Sequence, residues 1–151
     1  MNLVLNARDA IEHTGRIELR TENRLQEGRP VADVCFYQGD GAPASHPLAV
    51  DWDPELRRAG YDYDMADVRV LTGARGVRDG RIHLPHGVSY ALLVLPDEES
   101  IDPAALRKIR ELVRDGATVL GPRPVRANGL ANHPDCDEEV RALAGELWGG
   151  I

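Results

Sequence analysis

Three short apolar runs stand out along the chain, at residues 31–37, 90–95 and 117–120. Each run is rich in β-branched or aromatic residues, and each is closed by a glycine or a proline. This pattern is typical of strands buried on both faces, as in a parallel sheet that lies between layers of helices. The same reasoning predicts a further strand at Val68 and Val70.

Amphipathic segments follow these runs and predict two helices. Residues 103–115 carry apolar side chains at helical spacing, and Pro103 fits the first turn of such a helix. Asp102 is suited to cap it and Gly116 to end it. A last helix is predicted over residues 137–148. The residues expected to form the apolar faces of the two helices are Leu106, Ile109, Leu112, Val113, Val140, Leu143, Ala144, Leu147 and Trp148.

Weaker signals complete the secondary-structure prediction. Asp79 and Gly80 form a typical two-residue turn, which predicts a β-hairpin around residues 75–84. Helical segments are predicted over residues 1–16, 17–27 and 53–59. Strands and helices that alternate in this way predict an α/β fold of three layers, in which a mostly parallel sheet is flanked by helices and the hairpin is an insertion.

Length and net charge narrow the class of protein. The 151 residues are close to the commonest size of one domain, and we assign residues 1–22 to an N-terminal appendage and residues 23–151 to a single α/β domain. The net charge of −7 opposes binding to nucleic acid or to an anionic membrane, because both need a positive protein surface. No apolar run suits a signal peptide or a membrane span, so a cytoplasmic protein is expected.

Cysteine and histidine are too sparse to indicate a metal site or a disulfide framework. Cys35 and Cys136 are far apart, and the five histidines show no close ligand spacing. Cys35 lies inside an apolar strand, where a buried, inert thiol is the favoured interpretation. Acidic residues flank Cys136 and oppose negative charge on its sulfur. We therefore expect no metal, no cofactor and no catalytic cysteine.

Carboxylates near predicted strand ends and loops are the candidates for glycoside chemistry, which usually needs two carboxyl groups across the scissile bond. They are Asp40, Asp62, Asp64, Asp97 and Glu98. Acidic residues are abundant in this chain, so solvated loop residues or turn caps are the favoured interpretation. Asp62 and Asp64 alternate with two tyrosines, which on a strand places both acids on one face. This pair alone falls short of the oxygen ligands that a calcium site needs.

Ligands of parallel sheets bind outside the carboxyl ends of the strands. A pocket is therefore predicted among three loops, at residues 38–43, 96–100 and 121–126. Arg123 is its candidate anion-binding residue, although an ion pair with Asp97 or Glu98 is the favoured interpretation. The full set of candidate ligand-binding residues is Asp40, Asp62, Asp64, Asp97 and Arg123.

An ordered series of short motifs resembles one region of the family 106 glycoside hydrolases, the α-L-rhamnosidases. The motifs are Leu25–Tyr37, Gly60–Asp64, Asp79–Gly87, Tyr90–Pro96, Leu106–Ile109, Gly116–Pro122, Pro134–Asp137 and Leu147–Gly149. Each motif is short, but their order over residues 23–150 is specific. The resemblance implies an accessory domain that follows a (β/α)₈ catalytic barrel, with a fold similar to class I glutamine amidotransferases or to flavodoxin.

Three functional hypotheses follow from the resemblance and the residues. The first is a non-catalytic structural or interaction domain, since the family's acid and base residues belong to the barrel and have no counterpart here. It implies docking to a catalytic barrel or to a second copy of the chain, with Leu147, Trp148 and Ile151 as the candidate apolar patch. The second is a module that binds a sugar or another small molecule at the carboxyl ends of the strands. The third is a hydrolase that acts on rhamnosides.

Overall fold

A computed structural model describes residues 3–5, 32–39, 58, 61–85 and 87–149. In chain order, the elements of this part are β1 (Leu3–Leu5), β2 (Val34–Tyr37), β3 (Tyr63–Ala66), α1 (Val68–Thr72), β4 (Gly76–Arg78), β5 (Arg81–His83), β6 (Ser89–Tyr90), β7 (Leu92–Val94), β8 (Ser100–Ile101), α2 (Pro103–Arg114), β9 (Thr118–Gly121), β10 (Arg126–Ala127) and α3 (Asp135–Trp148). No helix among them combines the length and the apolar character of a membrane span.

A five-stranded sheet forms the centre of the described structure, in the spatial order β1-β9-β7-β2-β3. Strands β9, β7, β2 and β3 run parallel to one another, while β1 pairs antiparallel with β9. The predicted α/β class with a mostly parallel sheet is therefore confirmed. Because the strands are parallel, all their carboxyl ends lie at one edge of the sheet and all their amino ends at the other.

The described helices pack on one face of this sheet. Leu106 and Ile109 of α2 and Val140 of α3 are completely buried there against Leu93 and Val119 of the sheet. The opposite face carries a second buried cluster, which consists of Val34, Phe36 and Val94. No helix of the described residues contributes to this second cluster, so the third layer of the fold stays a prediction.

Helix α2 begins and ends where its local signals predict. The Asp102 carboxylate accepts hydrogen bonds from two backbone N–H groups of the first turn, at 2.6 and 3.1 Å. Pro103 is the first helical residue, and Gly116 follows the helix with a φ of +100°, which favours glycine. Helix α3 is confirmed as well, although it begins at Asp135, slightly before the predicted start.

The predicted β-hairpin is confirmed. Strands β4 and β5 pair antiparallel, with Val77 opposite Ile82 and both side chains turned towards the core. Asp79 and Gly80 connect them with positive φ values of 53° and 71°, as a type I′ turn requires. Strand β6 pairs with β5 and extends the hairpin to a three-stranded sheet.

One predicted strand is wrong. Val68 and Val70 belong to α1, and the parallel strand beside β2 is β3, which comes earlier in the chain. The reason is a cap: the Asp67 carboxylate accepts a hydrogen bond from the Val70 backbone N–H at 2.8 Å. The β-branched residues favour a strand, but this local cap at the helix start overrides their preference.

Most of the N-terminal third lies outside the described residues. This includes the predicted helix 17–27, the predicted helix 53–59 apart from the helical Arg58, and the predicted domain boundary after residue 22. Residues 3–5 form a strand, so the helix predicted over residues 1–16 is wrong at these positions. Instead, these residues pair antiparallel with Val119, Leu120 and Gly121 of β9.

Gly121, at the end of β9, is packed too tightly for a side chain. A Cβ atom there would lie 2.5 Å from Leu95 Cβ. We expect Gly121→Ala to lower the free energy of unfolding by about 1–3 kcal/mol in urea denaturation, because the neighbouring core must shift. The control is Gly145→Ala in α3, where open space surrounds the Cβ position; it should raise the same free energy by about 0.5–1 kcal/mol. Equal effects at both sites would contradict this packing.

Candidate functional site

The carboxyl ends of β2 and β7 are in close contact. A Cβ atom at Gly39, just after β2, would lie 3.6 Å from Pro96 Cγ and 3.6 Å from Glu98 Oε2. The neighbouring Asp97 is exposed. Asp40, the first candidate from the sequence, lies outside the described residues. At the position of the predicted pocket, the described loops therefore pack against each other, and Asp97 lies on their surface.

Arg123 follows β9 at the same edge and is also exposed. In the described part of the chain, no ion pair joins its guanidinium to Asp97 or Glu98, so the favoured interpretation of this arginine does not hold. An exposed ion pair gains little free energy, because water screens the charges and two long side chains must be ordered. Asp97 and Arg123 thus share one edge of the sheet without forming an ion pair.

Asp62 lies just before β3, at the opposite edge of the sheet. Its side chain is exposed, and Oδ1 accepts a hydrogen bond from the Tyr63 backbone N–H at 3.0 Å. Its backbone carbonyl accepts hydrogen bonds from the N–H groups of Asp33 and Val34 at 3.0 and 3.3 Å. Asp62 therefore stabilises the start of two strands, which is the behaviour of a turn cap.

Asp64 lies within β3 and has a specific side-chain partner. The Tyr90 hydroxyl donates a hydrogen bond to Asp64 Oδ2 at 3.1 Å. The strand register places Asp64 beside Cys35 of β2, on the face that carries the main core. The neighbouring Tyr63 points to the other face, where its ring meets that of Phe36 edge-on at 5.5 Å. Asp64 is thus engaged in a half-buried polar contact between elements.

The four described candidates do not assemble into one site. Asp62 and Asp64 lie towards the amino end of β3, whereas Asp97 and Arg123 follow the carboxyl ends of β7 and β9. In a parallel sheet these positions are at opposite edges. Among the described residues, no group of three histidine, cysteine, aspartate or glutamate side chains is arranged to hold a metal ion.

Neither cysteine is placed as a nucleophile. Burial, reinforced by the negative charge of Asp64, raises the pKa of the Cys35 thiol to about 12, so the thiol is protonated at neutral pH. Cys136 is buried at the start of α3, and its sulfur donates a long hydrogen bond to the Gly129 carbonyl at 3.7 Å. Both thiols contribute to packing.

The raised pKa of Cys35 predicts a loss of stability at alkaline pH. The unfolded chain ionises near the ordinary pKa of 9.0, whereas the folded thiol ionises near 12. This contribution is fully present below pH 9 and is lost as pH rises towards 12, by on the order of 1 kcal/mol per pH unit. Burial also raises the pKa of Tyr90, which acts in the same direction. Urea denaturation between pH 8 and 10.5 measures the slope, and Cys35→Ala should make it shallower; an unchanged slope would contradict the assignment.

A network that the sequence analysis missed lies at the amino edge of the sheet. The Arg81 guanidinium donates to Asp33 Oδ1 at 3.2 Å, to the Ser89 carbonyl at 2.8 Å and to Ser89 Oγ at 3.0 Å. It also reaches the Ala32 carbonyl at 3.4 Å. Asp33 is only 7% exposed, so this arginine neutralises a buried charge and ties the hairpin to β2. The one signal of this network in the sequence is Asp33, an acidic residue inside the otherwise apolar run 31–37.

Comparison with known proteins adds the decisive observation. The family model described as alpha-L-rhamnosidase, that of glycoside hydrolase family 106, matches residues 14–151. The chain belongs to this family. The resemblance of the sequence motifs to family 106 is therefore confirmed for the family as a whole. The match includes β2 to α3 and therefore every element of the described site.

Two relatives show how much longer than this chain the similar proteins are. A protein of Formosa agariphila named "Putative beta-glucuronidase" is 38% identical over 130 residues, which are 86% of this chain and 11% of that protein. The structure of a rhamnosidase from Novosphingobium sp. PP1Y superposes with a TM-score of 0.60 at 26% identity, over 80% of this chain and 12% of that chain. The chain thus spans about a ninth to an eighth of these relatives.

Family 106 membership makes the arrangement of carboxylates informative. A glycosidase that uses two carboxyl groups holds them within about 10 Å, on either side of the scissile bond. In the described residues, Asp62 binds its own turn, Asp64 accepts from Tyr90, and Asp97 lies at the other edge of the sheet. Within the described residues, Asp62 and Asp64 therefore do not share a cleft with Asp97.

Proposed function

We propose that this chain is a non-catalytic structural or interaction domain of a family 106 glycoside hydrolase. The observation that carries the proposal is that Asp62 and Asp64 lie at the opposite edge of the parallel sheet from Asp97. The small share of the relatives that the chain spans supports it, because the remaining eight ninths or so offer ample room for a separate catalytic domain.

The side-chain chemistry supports the same proposal. Asp64 is engaged by Tyr90, and the pKa of the Cys35 thiol is held far above neutral pH. The hydrogen bond from Tyr90 to Asp64 joins two strands, and the protonated Cys35 thiol packs in the core. Both groups therefore contribute to the stability of the fold. Groups that perform acid–base or nucleophilic chemistry must instead reach a substrate and ionise near the working pH.

We further propose that the fold is related to flavodoxin and to the class I glutamine amidotransferases. The parallel strands β2, β3, β7 and β9, numbered one to four in chain order, lie in the spatial order 2-1-3-4. This order is the flavodoxin-like one, in which the switch point lies between the first and the third strand. Here that point is between β2 and β7, where Gly39 meets Pro96 and Glu98.

The proposed partner is the catalytic barrel of such an enzyme, with a second copy of this chain as the alternative. The patch predicted at the C-terminus does not support docking, because Trp148 is buried and its indole N–H donates to the Gly121 carbonyl at 3.4 Å. Ile151 lies outside the described residues. Val125 and Leu130, in the segment between β9 and α3, are exposed and replace the C-terminal patch as candidates.

A domain exchange tests the proposed role. The segment of the Novosphingobium rhamnosidase that superposes on this chain is deleted, or is replaced by this chain, and soluble yield, melting temperature and rhamnosidase activity are measured. We expect the deletion to lower yield and melting temperature, and the replacement to restore much of both. An active and equally stable deletion variant would contradict a structural role.

A further inference from the structure

A groove that the sequence analysis did not anticipate lies along the β4–β5 hairpin. We name it the hairpin groove; its walls are residues 75–78, residues 83–85 and Gly87. Its volume of about 540 Å³ lies within the range of small-molecule sites. Of the described candidate residues from the sequence, none of Asp62, Asp64, Asp97 and Arg123 contributes to its walls.

The hairpin register explains why the groove exists. Val77 and Ile82 face each other and turn towards the core, so their neighbours Arg78 and His83 turn outwards. Gly76 lies opposite His83 and has a φ of +127°, a conformation that favours glycine. Because Gly76 brings no side chain, the space beside His83 stays open.

The groove concentrates positive charge in an acidic protein. Arg75 and Arg78 are exposed lining residues, and His83 lines the groove beside them. Among the described residues, neither guanidinium has a side-chain hydrogen bond or an ion pair, whereas the neighbouring Arg81 is fully engaged by Asp33 and Ser89. The chain as a whole carries a net charge of −7, so the local charge is opposite to that of the protein.

Two acids lie near the groove without lining it. Asp79 is in the hairpin turn and is exposed. Asp115, the C-cap of α2, has its Oδ2 atom 3.9 Å from the Cβ position of Gly76. Neither acid forms an ion pair with Arg75 or Arg78 within the described residues, so the two guanidinium groups are available to an anion.

We propose that the hairpin groove binds a carboxylate-bearing sugar, such as a uronate unit of an acidic oligosaccharide. Arg75 and Arg78 supply the planar, charged donors that match a carboxylate, and His83 adds a ring nitrogen. Leu84 and Pro85 supply an apolar wall for the C–H face of a sugar ring. The choice of a sugar as the ligand rests on membership of a glycoside hydrolase family. The proposal holds whether or not this domain is catalytic.

Nuclear magnetic resonance titration of the full chain with sodium D-glucuronate tests the proposal, with D-glucose at equal ionic strength as the neutral control. We expect saturable shifts of the Val77 and His83 amides with glucuronate, and affinity for glucose at least about tenfold weaker. Arg75→Gln and Arg78→Gln should each weaken glucuronate binding about fivefold to tenfold. Asp115→Asn should strengthen it, because a nearby negative charge is removed.

Arg69→Gln is the matched control, since Arg69 is exposed in α1 and does not line the groove. It should leave glucuronate affinity unchanged, and all four variants should melt close to the parent because the altered side chains are at the surface. Three results would overturn the proposal: glucuronate that binds no better than glucose, groove variants that bind like Arg69→Gln, or inorganic sulfate that binds as tightly as glucuronate.

Discussion

Replacement of Trp148 by alanine is expected to lower the free energy of unfolding by about 3–5 kcal/mol. Trp148 is 7% exposed and belongs to the main core cluster, although it lies at the very end of α3. Its indole N–H also donates to the Gly121 carbonyl at 3.4 Å, which ties the helix to the last residue of β9. The variant leaves a large cavity and an unpaired carbonyl. Urea denaturation followed by circular dichroism measures the change.

Two further variants separate packing from the hydrogen bond. Trp148→Phe keeps much of the apolar contact and removes the donor, so it should cost about 1–2 kcal/mol. Leu130→Ala alters a side chain that is 84% exposed and should stay within about 0.5 kcal/mol of the parent. If Trp148→Ala were as mild as Leu130→Ala, Trp148 would not be a core residue, and the docking patch predicted at the C-terminus would have to be restored.

Asp33→Ala is expected to lower the free energy of unfolding by about 2–3 kcal/mol. The carboxylate is the buried partner of Arg81, and its loss leaves the guanidinium without a counter-charge. The full cost of breaking a buried ion pair, about 3–5 kcal/mol, is not reached because the Arg81 side chain is 31% exposed and water can solvate it. The three-stranded sheet should also become easier to open, which amide exchange in β5 and β6 would detect.

A double-mutant cycle with Arg81→Ala isolates this interaction. The double variant should be less destabilised than the sum of the two single variants, by about 1–2 kcal/mol, because the pair is removed together. Asp33→Asn keeps the shape of the side chain without the charge and should fall between Asp33→Ala and the parent. Strictly additive single effects would show that Asp33 and Arg81 do not act as a pair.

Elements with local signals could be predicted from the sequence. Asp102 and Gly116 mark the ends of α2, and the positive φ values of Asp79 and Gly80 define the hairpin turn. The strand predicted at Val68 failed because an intrinsic preference for strands competed with a capping aspartate one residue earlier. Local chemistry decided these elements, and the error at Val68 came from giving one local signal more weight than another.

The site depends on contacts between residues that are far apart in the sequence, and no local pattern predicts such contacts. Arg81 meets Asp33 across 48 residues of chain, and Tyr90 meets Asp64 across 26. Both pairs exist because the strand order brings distant segments side by side. The apolar pattern alone does not determine this order. The candidate acids could be named from the sequence, but whether they shared an edge of the sheet depended on the same order and register.

A hydrolysis assay of the purified chain tests the central claim most directly. An aryl α-L-rhamnoside is incubated with the chain at high concentration, and the Novosphingobium rhamnosidase serves as the positive control. A non-catalytic domain predicts a rate equal to that of the substrate alone, at every chain concentration and from pH 4 to 9. Hydrolysis that rises in proportion to chain concentration, and that falls in Asp64→Asn or Asp97→Asn, would contradict the account and place a catalytic carboxylate in this domain.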